Sequence, residues 1–383
     1  MPEAVVLGAG MVGSVIAQDL ARDDEFSVHL LDANERALAQ ARDRTPALRT
    51  SRIDVADRAA LERAIRDADV VVGALSSNVG YEALATLVDL GAPVVDISFF
   101  SQNALMLGDR AKATGARVVF DMGVAPGMSN MLAVHAANSL DVCERVDVIV
   151  GGVPQHPMPP YFYKAAFSPR DVLEEYTRPA RVVEDGAIVE KQPMSEEEPI
   201  EFAGVGSFVA FLTDGLRSLA LNPIAPTMRE MTLRHAQHTP MMRFLRDAGF
   251  FSQTPVELPA AEGVGALPID MTAAIMLPAW QYDPGEADLT LMRISAAGTR
   301  AGKRLRIEWE LIDEYDAAAD TSSMARTTAF PAAIVARMLA AGEIDASGVH
   351  APEALVAHEG AVDQLLDAMA DRGVRYTHKE ITL

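Results

Sequence analysis

The chain has 383 residues, 49% of them hydrophobic and 23% charged, with a formal net charge of −21. That length asks for about two domains, and the acidity excludes nucleic acid and anionic membrane surfaces as partners. No apolar stretch reaches the ~18–20 residues of a membrane span, the start lacks a secretory leader pattern, and Cys143 is the single cysteine, which excludes an internal disulfide; a cytoplasmic protein is expected.

The first elements in chain order are the most explicit. An apolar run, Ala4-Val5-Val6-Leu7, precedes Gly8-Ala9-Gly10-Met11-Val12-Gly13, then a helical segment, then Val28-His29-Leu30-Leu31 closing on Asp32. Strand, glycine turn, helix, strand and acid in that order are what a dinucleotide site requires. Gly8 allows the tight turn, Gly10 lets the backbone approach a pyrophosphate, and Gly13 lets the helix pack on the sheet. The helix opening at Met11 and Val12 offers unpaired N–H groups and its positive end to the phosphates. Asp32 is placed to accept the ribose hydroxyls and to repel a 2′-phosphate, so NAD is expected over NADP, with Arg36 close by.

The alternation continues with a helix over 35–44, a strand over 48–55, a helix over 57–66 and a strand over 69–75. A helix over 80–90, a strand over 94–97, a helix over 104–114 and a strand over 117–120 follow. Six β-type runs separated by helical patterns predict a Rossmann doubly wound parallel sheet, with its ligand outside the carboxyl ends of the strands. At those ends Asp54 and Val55 are candidates for the adenine, Ala74, Leu75 and Ser76 for lining the dinucleotide, and Asp96 and Ser98 for the nicotinamide side. Each is equally readable as ordinary loop chemistry.

After residue 121 the texture changes. Asp121 to Asn130 is punctuated by glycine and proline and opens a helix over 131–139, followed by a strand over 146–150, a proline-rich loop and a helix from about Ser168 to Tyr176. A hairpin turning at Asp185-Gly186 comes next, then an amphipathic helix over 205–219 and a helix over 240–248. Two long strands, 287–294 and 304–312, two further helices and a short polar strand complete an α+β region with a mainly antiparallel sheet. The expected division is a dinucleotide-binding domain over 1–121, a substrate and dimerisation domain over 122–345, and a segment, 346–383, returning to the first domain.

Candidate chemistry is concentrated in this second region. Asp121 and Asn130 flank a turn at a strand end, where a carboxylate either orients substrate or closes an Asx-type turn. Thr213 and Asp214 interrupt an apolar segment and are either an amine site or locally bonded. Arg234 presents a planar fork suited to a carboxylate, or forms a surface ion pair. His235 and His238 have no third ligand at matching spacing, so no metal is expected; acid–base use of one of them stays open. Tyr163 and Lys164, with Tyr161, either close over the nicotinamide or cover a domain seam.

These residues together resemble the saccharopine dehydrogenase-like superfamily, in the group of saccharopine reductases and NAD-dependent lysine 6-dehydrogenases. The likeness rests on Gly8–Gly13 with Asp32, Asp121 to Asn130, Gly151 to Pro154, Phe167-Ser168 running to Glu175-Tyr176, Thr213 to Leu216, Thr232 to Arg234 and Arg326 to Pro331. It implies a homodimeric oxidoreductase that oxidises a carbon bearing nitrogen on lysine or a lysine-derived amine. Arg234 would hold an α-carboxylate, and Tyr163, Lys164 or His238 would take the proton. Asp121 would hold the ammonium or the hydrolytic water. His238 and the proline-rich loop lean toward lysine 6-dehydrogenase, with hydride leaving the ε-carbon. The alternatives are a saccharopine dehydrogenase or reductase, a carboxynorspermidine-type imine reductase, and an NAD-binding regulator without turnover.

Overall fold

The computed structural model describes residues 1–22, 25–165, 169–258 and 261–383. The first strands are β1 (Glu3–Leu7), β2 (Ser27–Asp32), β3 (Arg49–Arg52), β4 (Val70–Gly73), β5 (Pro93–Asp96) and β6 (Arg117–Val119). Then come β7 (Val142–Pro154), β8 (Ala180–Glu184), β9 (Ala187–Lys191), β10 (Glu198–Phe202), β11 (Gly206–Leu212) and β12 (Thr227–Arg234). The last are β13 (Val256–Leu258), β14 (Ala261–Ala266), β15 (Asp288–Arg300), β16 (Lys303–Glu314), β17 (Gly348–His350) and β18 (Tyr376–Thr382).

The chain forms two compact units, residues 1–135 with 325–375, and residues 136–324 with 376–383. The boundaries expected at 121/122 and 345/346 fall inside the first unit. Its helix Met128–Asn138 straddles the first crossing point, so the turn after β6 does not end the unit.

The first unit is a parallel sheet in the order β3-β2-β1-β4-β5-β6-β17. β1 and β4 are apolar without alternation because both faces are covered: Ala4 to Leu7 and Val70 to Val72 are fully buried. Strand order reverses between β1 and β4, which places the ligand crevice at their carboxyl ends. β17 is a seventh strand that three residues were too short to announce in sequence. The returning segment is tied down by charge. Asp19, buried on the helix Met11–Leu20, accepts from Arg337 at 2.7 Å and from Arg372 at 2.7 and 3.1 Å.

The second unit is a mixed sheet in the order β10-β11-β12-β7-β15-β16-β18, with β8 on β12 and β9 on β8. Only the β12–β7 pair is parallel among its described pairings. The expected helix over 205–219 is instead β11 followed by a short helix, Ser218–Leu221. Phe208 to Leu212 is an unbroken apolar run bonded on both edges and buried on both faces, and periodicity alone does not separate such a run from a buried helix. β18 pairs with β16, so the last residues belong to this sheet and not to the first unit. The helix expected from about Ser168 is Pro169–Glu175, and Ser168 itself lies outside the described residues.

Among the described residues no helix is long and apolar enough to cross a membrane. Replacing the buried Asp19 with alanine leaves Arg372, which is half-buried, without this carboxylate and Arg337 with Glu25 alone. A loss of about 3–5 kcal/mol is expected, read as a lowered urea midpoint; an unchanged midpoint would show that the cluster does not hold the returning segment.

Candidate functional site

In the first unit the glycine turn is built to leave backbone exposed to a ligand. Gly8 has φ +102°, and a Cβ there would meet the Ala74 carbonyl oxygen at 2.3 Å. A Cβ on Gly13 would meet the Gly8 oxygen at 2.0 Å, whereas nothing lies within 4 Å of one on Gly10. The helix Met11–Leu20 starts there without a side-chain cap, Met11 exposed and Val12 half-buried. Its first amides are therefore free of side-chain competition for a pyrophosphate. Ala74 N–H donates to Leu7 O, holding the end of β4 against the turn.

Asp32 does something the sequence did not announce. Its Oδ2 accepts the Ala9 N–H at 2.6 Å and its Oδ1 accepts the Asn34 N–H at 2.7 Å. The carboxylate thus braces the glycine turn with one oxygen and the start of the next helix with the other. Arg52 at the end of β3 donates to Ala33 O at 3.0 Å, and Arg36 stands exposed in the first turn of the next helix. A carboxylate already satisfied beside two guanidinium-bearing residues fits a 2′-phosphate.

The other strand ends are internally bonded. Asp54 is exposed and accepts the Ala56 N–H at 3.0 Å, with Val55 half-buried beside it. Leu75 N–H donates to Ser98 Oγ at 3.1 Å, and Ser76 Oγ donates to Asn78. Ser98 in turn donates its N–H to Asp96 Oδ1 at 2.7 Å. Asp96 is fully buried; a Cβ on Gly73 would collide with its Oδ2 at 1.9 Å. Burial foremost, with the nearby Asp121 charge adding to it against the Ser98 bonds, pushes its carboxyl up to about 8. Asp121 is buried in a left-handed backbone conformation, φ 55°. Asn130 accepts from Ser129 Oγ at 3.0 Å and donates to Glu353 at 3.3 Å.

In the second unit Arg234, at the end of β12, is 1% exposed. Its Nη2 donates to Glu175 at 2.6 Å, its Nε to Tyr176 Oη at 3.1 Å and its Nη1 to Leu233 O at 2.9 Å; its guanidinium carbon lies 4.6 Å from the Tyr163 ring centre. Because Tyr176 accepts from arginine, its own proton goes to His238 Nε2 at 2.8 Å, and His238 Nδ1–H donates to Tyr161 O at 2.8 Å. Burial foremost, with the Arg234 charge, drives His238 down to about 3. His238 is therefore a neutral, doubly engaged ring at all working pH. His235 is likewise lowered by burial and bonds Pro154 O at 2.9 Å.

A cavity of about 170 Å³ is lined by Pro154, His156, Tyr161, Tyr163, Lys164 and Glu286 among others, and Tyr163 joins it to the arginine, which is not itself in the lining. The Tyr163 hydroxyl is buried without a hydrogen-bond partner, as are Trp280 Nε1 and the Tyr282 hydroxyl. Burial pushes the Tyr163 phenol well above its ordinary range. Lys164 is paired with Glu286 and Asp283; desolvation opposes its charge, but those carboxylates raise it on balance. The Thr213–Asp214 pair is spoken for. Asp214 forks onto Arg181 at 2.7 and 2.9 Å, and Thr213 Oγ1 donates to Glu230 at 2.6 Å.

Glu230 is a residue that reading the sequence passed over, and Glu175 and Tyr176 are given no role there beyond their place in a family motif. Burial pushes Glu230 up to about 8, with the Glu175 and Asp214 charges adding to it and the Thr213 bond opposing. The available signal was the alternation Glu230-Thr232-Arg234 against Met231-Leu233, which puts three polar groups on one face of a buried strand. Among the described residues no three His, Cys, Asp or Glu side chains are grouped to hold a metal.

Residues 4–119 match the family model of the saccharopine dehydrogenase NADP binding domain, and residues 123–374 that of the saccharopine dehydrogenase C-terminal domain. The chain is 23% identical to the saccharopine dehydrogenase (NADP(+), L-glutamate-forming) of Schizosaccharomyces pombe, over 98% of each. It is 20% identical to the carboxyaminopropylagmatine dehydrogenase of a Synechocystis species, over 91% of this chain and 92% of that one. Its fold matches apo saccharopine dehydrogenase (L-Glu forming) from Saccharomyces cerevisiae with a TM-score of 0.81 over all of both chains, at 19% identity. The expectation of NAD is corrected by these findings: the matching nucleotide domain and the fission-yeast relative are both specified for NADP(+).

Replacing Arg36 and Arg52 together with alanine is expected to weaken NADPH binding about tenfold or more, since charge-assisted bonds contribute about 1.5–3 kcal/mol each. Calorimetry on the double variant checks it, and unchanged affinity would place the 2′-phosphate elsewhere. Glu230 and Asp96 bind a proton more tightly folded than unfolded. Stability should therefore fall as pH rises from their ordinary carboxylate range to about 8, at up to about 1.4 kcal/mol per pH unit for each group. Urea titrations of Glu230→Gln should show a shallower decline over that window than the parent protein.

Proposed function

The chain belongs to the saccharopine dehydrogenase family, and on that premise we propose that it oxidises the secondary amine of a saccharopine-type amino acid with NADP(+). Family membership makes it a pyridine-nucleotide oxidoreductase acting on carbon–nitrogen bonds. The relatives favour the saccharopine alternative over lysine 6-dehydrogenase. His238, which leaned toward the lysine branch, is a locked neutral ring.

The observation that carries the reading is Arg234, a permanently charged fork buried against the ring of Tyr163, whose phenol is unpartnered among the described residues and lines a cavity. A substrate carboxylate takes N–H bonds from the arginine and supplies the acceptor that Tyr163 lacks. Tyr163 then serves as a donor, because burial keeps its phenol protonated. NADP(+), when bound, accepts the hydride from the carbon bearing nitrogen. The first unit's backbone N–H groups at the glycine turn hold its pyrophosphate, and Arg36 and Arg52 its 2′-phosphate. The amine loses one proton before hydride transfer. Water then cleaves the oxidised carbon–nitrogen bond to an aldehyde and an amino acid, whose ammonium keeps both of water's hydrogens, so one proton is released overall. Among the residues expected to take a proton, His238 and Lys164 are held in single states by their partners. Glu230 and Asp96 titrate near the pH at which such a reaction runs.

The test is NADPH absorbance with the purified protein, NADP(+) and saccharopine at alkaline pH, with L-lysine and carboxyaminopropylagmatine in parallel. Turnover on saccharopine is expected, with Arg234→Ala raising its KM by at least about tenfold while the KM for NADP(+) moves little. Turnover on lysine alone would restore the lysine reading. Turnover on carboxyaminopropylagmatine alone would move the chain to the polyamine branch.

A further inference from the structure

Arg234 reaches its ligand-free state with three of its five N–H groups engaged, and the three partners differ in kind. Leu233 O is a strand carbonyl fixed by the β12–β11 ladder, and Tyr176 is fully buried and itself bonded to His238. Glu175 is the charged one. It is the last residue of the helix Pro169–Glu175, where the helix dipole does not favour a carboxylate. It meets the guanidinium through one oxygen, at 2.6 Å, and not as a two-bond fork. Its side chain is 21% exposed while that of Arg234 is 2% exposed. The glutamate is thus the partner that solvent can reach.

We propose that the Glu175 carboxylate holds the seat of the substrate's carboxylate, an internal counter-ion that the amino-acid substrate displaces from Arg234. This rests on the reading of Arg234 as a carboxylate clamp. A buried guanidinium cannot shed its charge, so it needs an anion against it to be stable, and Glu175 is that anion. The substrate offers a better one, two oxygens in place of one, together with an acceptor for the orphaned Tyr163 hydroxyl. Displacement costs affinity, and that cost makes binding selective: a ligand without a carboxylate has nothing with which to replace Glu175. The charged and titratable groups facing Glu175 are Arg234 and Glu230 on β12, Asp171 and Arg178 beside it in sequence, and the phenols of Tyr163 and Tyr176. Burial foremost raises the Glu175 carboxyl, against the pull of Arg234. Protonation weakens it as a competitor, so substrate binds more tightly as pH falls through its titration.

The experiment compares Glu175→Gln with the parent full-length protein, using saccharopine and NADP(+). The amide keeps an acceptor for Arg234 but no charge. The KM for saccharopine should fall by about five- to twentyfold, more than kcat changes, and its pH dependence at the acid side should flatten. Saccharopine should also raise the melting temperature of the variant by more than that of the parent. A KM that is unchanged or raised, with the pH limb intact, overturns the proposal and makes Glu175 a residue that only orients the arginine. Should the glutamine variant fail to fold, Glu175→Asp withdraws the charge without deleting it and must shift KM in the same direction. Arg234→Lys separates the two readings. If the lysine variant leaves the KM for saccharopine unchanged, the clamp itself is wrong, whatever the Glu175 variants do.

Discussion

A guanidinium stays charged at every pH a protein survives, and burying one obliges its surroundings to satisfy it. Arg234 imposes that obligation on much of the second unit. Glu175 supplies the counter-charge, Leu233 O and Tyr176 take the remaining bonds, and Tyr163 lays its ring against the guanidinium. The consequences travel. Tyr176, having accepted from arginine, donates to His238; His238, having accepted, must donate through Nδ1 to Tyr161 O. One immovable charge therefore sets a tautomer two bonds away and pins the loop that walls the cavity.

The first unit solves a different problem by different means. An acidic chain has to hold an anionic nucleotide, and it does so with backbone. Gly8 and Gly13 leave no room for a side chain, Gly10 leaves open space, and the helix behind them has no cap of its own. Asp32 serves this arrangement structurally. With one oxygen on Ala9 and the other on Asn34 it ties the glycine turn to the turn that follows β2. Arg36 and Arg52 stand in the same corner.

Burial also sorts the titratable groups. Asp96 and Glu230 are held against Gly73 and Gly215 with no charge of opposite sign in contact among the described residues, and burial keeps protons on both near neutrality. Asp214, equally acidic in sequence, forks onto Arg181. His238, one of three residues expected to take the proton, is neutral because burial foremost, with the Arg234 charge, disfavours its cation.

The amino-acid sequence by itself determined whatever depends on a few consecutive residues. The glycine turn after β1, the alternation of short apolar runs and helices to residue 119, and the Asp185-Gly186 hairpin are consequences of local sterics and periodicity. So was the family, since its motifs are contiguous. Tertiary structure decided the rest. β11 is a strand because β10 and β12 flank it, and an apolar run carries no record of its neighbours. Asp32 gained an amide partner 23 residues away, and Arg234 a counter-ion 59 residues away. Backbone conformation is set within a turn or two of the chain, but the protonation and pairing of a buried charge are set by whatever the fold brings within about 4 Å of it.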